Sequence, residues 1–136
     1  MRKVLMSGAG ESGIVYRILI VDDEKIERTG LRLLLGKMDQ KFEITEAVNG
    51  KEALEWLSCN RADILVTDIR MPFMDGLELS RMVKAELPDI KIVILSGYDD
   101  FEYAKQAIKI GVAEYLLKPV SSAVLLEHLS EIAEKV

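Results

Sequence analysis

Ile64-Leu65-Val66-Thr67-Asp68-Ile69-Arg70-Met71-Pro72-Phe73-Met74-Asp75-Gly76 is the stretch that decides the fold. Four uncharged residues, three of them β-branched, end on an aspartate, and a turn-rich segment follows. An unbroken apolar run of this length suits a strand covered on both faces, as in a parallel sheet. A carboxylate at its carboxyl end then lies on the edge where open α/β sheets place their ligand chemistry.

The pattern repeats along the chain. Arg17-Ile18-Leu19-Ile20-Val21 ends on Asp22-Asp23, Lys91-Ile92-Val93-Ile94-Leu95 ends on Ser96, and Ala113-Glu114-Tyr115-Leu116-Leu117 ends on Lys118. Strands are therefore predicted at 17–21, 42–47, 63–67, 91–95 and 113–117. Phe42-Glu43-Ile44-Thr45-Glu46-Ala47 alternates and belongs at an edge. Between the strands, residues 24–36 carry Ile26, Gly30, Leu33 and Leu34 at helical spacing, and Asn49 caps a helix running to about 59. Leu79, Met82, Val83 and Leu87 mark a third helix that Pro88 stops. Asp99 or Asp100 caps a fourth, with Phe101, Ala104, Ala107 and Ile108 as its stripe and Gly111 at its end. Ser121 opens a fifth, with Leu125, Leu129, Ile132 and Val136 on one face. Trp56 and Cys59 are expected to pack on the second helix, and His128 to be a surface or packing residue.

Acid pair, acid, hydroxyl and amine, each at a strand end, together resemble the receiver domain of two-component response regulators. The resemblance runs from about Tyr16 to the end of the chain. It implies a flavodoxin-like (βα)5 fold: a doubly wound, five-stranded parallel sheet of order 2-1-3-4-5, whose switch point Asp22, Asp23 and Asp68 flank. It implies that Asp68 accepts a phosphoryl group from a sensor histidine kinase, that Ser96 and Tyr115 switch, and that a cis Lys118–Pro119 bond aims the amine inward. Asp23 and Asp68 would ligate Mg²⁺ directly, Asp22 through water, and Arg70 through its backbone carbonyl. Such a domain is not an enzyme, though it assists its own phosphorylation and dephosphorylation. The output is read on the face of the fourth helix, fifth strand and fifth helix, through which a homodimer is expected. The stretch from Leu95 to Ala104, with Tyr115-Leu116-Leu117-Lys118-Pro119-Val120, looks more narrowly like receivers attached to AraC-type DNA-binding domains.

The residue types suit this chemistry. An aspartate attacking a phosphoryl group approaches an anion, so the surrounding charge must be neutralised. Clustered carboxylates take a hard divalent cation, Lys118 offers a compact ammonium, and Ser96 a hydrogen bond. Without metal the three carboxylates repel one another, and at least one pKa is expected to rise. Arg70 and Tyr98, two residues after Asp68 and Ser96, are expected to project over the mouth of the site and slow hydrolysis of the phosphoryl group. In isolation each residue has an ordinary role: Asp22-Asp23 can cap a helix starting near Glu24, and Pro119 can end a strand.

Composition bounds the rest. The chain has 136 residues, enough for one core, with 49% hydrophobic residues and a formal charge of −5. It is not a basic nucleic-acid binder, so DNA contact is expected only through an output domain outside this chain. One cysteine forms no internal disulfide, which fits a cytoplasmic protein, and no apolar run approaches the ~20 residues of a membrane span. Residues 1–15, with the run Ser7-Gly8-Ala9-Gly10-Glu11-Ser12-Gly13, are expected to be a flexible tail ahead of a receiver unit at 16–136. The chain ends at Val136, where the fifth helix finishes, so a receiver cut from its effector or a free-standing one is expected. Two rivals remain open. A phosphotransferase of the haloacid-dehalogenase type would need an acid where Arg70 stands, and a receiver that has lost the reaction would keep the fold alone.

Overall fold

The computed structural model describes residues 3–6, 12–97 and 101–136. Its elements are β1 (Lys3–Met6), β2 (Ser12–Val21), α1 (Lys25–Leu35), β3 (Lys41–Ala47), α2 (Gly50–Leu57), β4 (Ile64–Asp68), α3 (Gly76–Glu86), β5 (Lys91–Ser96), α4 (Phe101–Ile110), β6 (Glu114–Leu117) and α5 (Ser122–Glu134). β3, β2, β4, β5 and β6 pair in that order, all parallel, which is the 2-1-3-4-5 sheet read from the sequence.

Strand periodicity sorts the core into two layers. Leu19, Val21, Leu65, Ile92 and Ile94 face one way, against Ala53 of α2, Leu77, Leu79 and Val83 of α3, and Ala107 of α4. Ile18, Ile20, Ile64, Val66, Val93 and Leu95 face the other way, against Leu35 of α1 and Leu125, Leu129 and Ile132 of α5. Because the side-chain period is two, a one-residue slip would exchange the layers. Each fully buried Leu or Ile contributes ~1.5–3 kcal/mol, so register is strongly fixed.

The helix starts follow their caps. Asn49 accepts from the Glu52 N–H at 2.8 Å, Asp75 from Glu78 at 2.8 Å, and Ser121 from Val124 at 3.1 Å. Gly111 follows α4 with φ +91°, a left-handed conformation that favours glycine. The expected caps Asp99 and Asp100, like Tyr98, lie outside the described residues.

Several expectations need correction. The stripe proposed for α1 is partly misplaced: Ile26 and Leu33 are largely exposed, while the expected Leu34 packs on the sheet together with Leu31, Leu35 and Met38. In α4, Phe101 and Ile108 face solvent, while Ala107 of the expected stripe is buried and packs with Tyr103 and Ile110. Both packed sets also repeat at helical spacing, so periodicity alone permits either phase. Cys59 is exposed rather than packed, whereas Trp56 does pack against the core. His128 is half-buried, with Nδ1 3.1 Å from Glu114 Oε1.

Where the sequence predicts a flexible tail through residue 15, Lys3–Met6 pairs antiparallel with residues 12–15. β2 extends beyond the amino end of β4, whose pairing with it begins at Ile18, and that open backbone edge is where β1 adds. Val15 thereby pairs with Lys41 on one side and Lys3 on the other.

Candidate functional site

Asp22, Asp23 and Asp68 converge where β2 and β4 end, with one carboxylate oxygen from each lying within 4.8 Å of the others. Asp22 is buried, Asp68 is half-buried and Asp23 is exposed. Pairing of Val21 with Thr67 brings the two strand ends level. The spacing and hard oxygen donors fit a divalent cation such as Mg²⁺.

Asp22 is the most constrained of the three. Its Oδ1 accepts from the Glu24 N–H at 2.9 Å, its carbonyl accepts from Arg28 Nη1 at 2.7 Å, and its own N–H donates to the Ala47 carbonyl at 3.2 Å. Burial pushes its carboxyl up to about 6; the Glu24 N–H works against this, Asp68 adds to it, Lys118 opposes it and Asp23 adds to it again. The expected upward shift in the cluster therefore falls on Asp22. Its capping role is local, through the Glu24 N–H just ahead of α1.

Asp68 is set by the turn that follows it. Its Oδ1 accepts from the Ile69 N–H at 2.7 Å, and Thr67 Oγ1 donates to its carbonyl at 2.9 Å. The Gly76 N–H donates to the Ile69 carbonyl at 2.7 Å, folding the loop back onto the strand end. A Cβ at Gly76 would lie 2.1 Å from the Asp68 carbonyl oxygen, so only glycine lets α3 start here. Phe73, at the tip of that loop, has φ +72° and is fully exposed.

Lys118 completes the site from β6. Its peptide bond to Pro119 is cis. Its Nζ stands 3.7 Å from Asp68 Oδ2, 3.8 Å from Asp22 Oδ2 and 3.9 Å from Glu27 Oε2. The Lys118 N–H donates to the Ser96 carbonyl at 2.6 Å, tying the ends of β5 and β6 together. Ser96 is fully buried at the end of β5. Tyr115 sits in the middle of β6, half-buried against the α4 side of the core and in register with Ile94. The Arg70 side chain leans toward α4, with its guanidinium carbon 5.9 Å from the Tyr103 ring centroid. Tyr98, the other expected gate residue, lies outside the described residues.

Three supporting residues escaped the sequence reading: Arg28, Gly76 and Glu27. Arg28 also donates from Nε to Glu46 Oε1 at 3.0 Å, so one side chain holds both the Asp22 main chain and β3. Asp75-Gly76 after a strand end was the available signal for the tight turn; nothing local marked the other two.

The response regulator receiver domain family matches residues 18–130. The chain belongs to that family. Among curated relatives, this receiver is 41% identical over 119 residues to the transcriptional regulatory protein YesN of Bacillus subtilis, covering 87% of the chain and 32% of that protein. It is 41% identical over 112 residues to the transcriptional regulatory protein HptR of Staphylococcus aureus, covering 82% and 44%. The chain thus spans less than half the length of either relative. Among solved structures, a receiver domain from Clostridium thermocellum superposes with a TM-score of 0.80 at 30% identity, covering 88% of this chain and 95% of that one. The receiver domain of AraT, a response regulator from Geobacillus stearothermophilus, gives 0.77 at 38% identity, covering 88% and 94%.

Proposed function

We propose that Asp68 is the phosphoacceptor of this two-component receiver and that residues 16–136 form the receiver unit. The observation that carries the reading is the approach of Lys118 Nζ to Asp68 Oδ2 at 3.7 Å beside the three-carboxylate cluster. One carboxylate oxygen is anchored on the Ile69 N–H, so the group is oriented before any donor arrives. An Asp68 oxygen attacks the phosphorus of a phosphohistidine on a sensor kinase; the aspartyl–phosphate bond forms as the phosphorus–nitrogen bond breaks, and the imidazole leaves. Lys118 neutralises charge on the transferred oxygens, and the Ser96 hydroxyl donates to one of them.

Asp22, Asp23, Asp68 and the Arg70 carbonyl are the residues that would hold Mg²⁺, which when bound offsets the negative charge of cluster and phosphoryl group. Asp68 holds its phosphoryl group for signalling rather than turning over an external substrate, so the domain is a switch and not an enzyme. Ser96 and Tyr115 carry the change outward to the face of α4, β6 and α5, where a second copy of the chain docks. The relatives are named transcriptional regulatory proteins, which supports an output domain that contacts DNA in place of this segment; its AraC type rests on the resemblance of residues 95–104 and 115–120 alone. Among the described residues no helix is long and apolar enough to cross a membrane, which accords with a cytoplasmic setting.

Incubation with acetyl phosphate and Mg²⁺ should add one phosphoryl group by mass spectrometry, and Asp68→Asn should abolish it. Undiminished label on that variant would move the acceptor elsewhere.

A further inference from the structure

Lys118 has more acids around it than phosphoryl transfer uses. Glu27, in the first turn of α1, lies as close to its ammonium as Asp22 and Asp68 do, at 3.9 Å against 3.8 and 3.7 Å. All three separations exceed hydrogen-bond length but lie within ion-pair range, so the ammonium is shared. The main chains on either side of this pair are anchored. Its neighbour Arg28 is fixed to the Asp22 carbonyl and to Glu46, which sets the rotation of the first turn of α1. Lys118 is fixed through its N–H on Ser96. Both side chains line a cavity of about 440 Å³, whose walls also include Leu31, Leu34, Val120 and Leu125.

Resting on the reading of Asp68 as acceptor, we propose that Glu27 is a positioning residue: a counter-charge that shares Lys118 with the acidic pocket and slows phosphorylation by anionic donors. The carboxylate acts in two ways. It draws the ammonium away from the place where phosphoryl oxygens must be neutralised. It also adds a negative charge at a mouth already carrying the carboxylates of Asp22, Asp23 and Asp68, and so repels a phosphate ester or anhydride on approach. Glu27 is nearly half exposed, so its pair with Lys118 adds little to stability, and its effect belongs in a rate rather than a melting temperature.

The test is the rate of Asp68 labelling at fixed Mg²⁺, with the intact chain, for wild type, Glu27→Gln and Glu27→Lys. With acetyl phosphate at low salt, Glu27→Gln should label about threefold faster and Glu27→Lys on the order of tenfold faster, since exposed charges act strongly within a Debye length. Both gains should shrink toward unity on the order of 0.5 M salt, where that length is short. They should also be smaller with phosphoramidate, which carries less net negative charge. A purely structural effect would follow neither salt nor donor charge, and gains indifferent to both would overturn the proposal. So would a slower Glu27→Gln variant, which would mean that Glu27 aligns Lys118 productively. If wild type is labelled and all three rates coincide, only the role of Glu27 falls; if wild type takes no label at Asp68, the acceptor reading fails and this inference with it.

Discussion

The two halves of the site are built to different standards. The acidic half hangs on β2 and β4, both central, with Ile18, Leu19, Ile20, Ile64 and Leu65 almost inaccessible to solvent. Its loops are closed by hydrogen bonds to Asp22 and Ile69, and a glycine with no room for a side chain abuts Asp68. The other half hangs on β6, a four-residue edge strand with no fully buried residue, and on α4, where Ala107 alone is buried. Chemistry needs fixed atoms and signalling needs movable ones, so on the proposed reading the acceptor sits on the rigid half, while the loosely held half brings Lys118 to it and carries the readout.

The largest expected effect comes from breaking the rigid half. Gly76→Ala drives a methyl into the Asp68 carbonyl, a contact with backbone that no rotamer relieves. It should cost ~3 kcal/mol or more and lower the melting temperature by on the order of 10 °C, as overpacking against a fixed backbone does. Labelling of Asp68 should fall alongside. Scanning calorimetry on the variant measures this, and a change within error would show that the turn is softer than its hydrogen bonds imply.

Metal and pH should act next. Mg²⁺ at a hundred times its dissociation constant should add about 2.7 kcal/mol to stability, because the proposed carboxylate site exists in the folded chain and hardly in the unfolded one. Asp22 titrates near 6 when folded, against 3.8 ordinarily. With its folded pKa raised, its contribution to stability is fully present below the ordinary value and is lost as pH rises through about 6. The metal-free domain should therefore lose stability across that window, while Mg²⁺, which competes with the proton, binds more tightly up to about pH 6 and levels off above. Melting curves with and without Mg²⁺ at several pH values test both trends. A Mg²⁺ effect independent of pH would take Asp22 out of the binding set.

The smallest signal should sharpen the contrast between the halves. Amide hydrogen exchange in 101–110 and 114–117 should be faster than in β4 and β5, and a beryllofluoride mimic of the phosphoryl group should change protection mainly in α4 and β6. Ser96→Ala should keep the binding of the mimic and lose that change. Equal protection in both halves would remove the division of labour.

The carboxyl rim was legible in the sequence because each of its groups terminates an apolar run: Asp22, Asp23, Asp68, Ser96 and Lys118 are all read from strand ends. A parallel sheet puts every such end on one side, so one-dimensional order already implies a shared rim. The long-range supports were not legible. Arg28 reaches both the Asp22 carbonyl and Glu46, and Glu27 meets a lysine more than ninety positions away, pairings that exist only once α1 packs beside β3 and its first turn comes near the end of β6. Helix facing was also beyond local pattern. Leu31, Leu33, Leu34 and Leu35 offer apolar residues on two sides of α1, and Phe101 and Ile108 offer a second stripe on α4. Periodicity states which residues share a face but not which face the sheet covers. By itself the sequence determined the βα alternation, the strand ends and which polar side chains share the rim, since these follow from local hydrophobicity and from the handedness of crossovers. Tertiary structure alone decided which helix faces are buried, how closely α3 crowds Asp68, and how Lys118 is divided among three acids, since those depend on distances between segments remote in the chain.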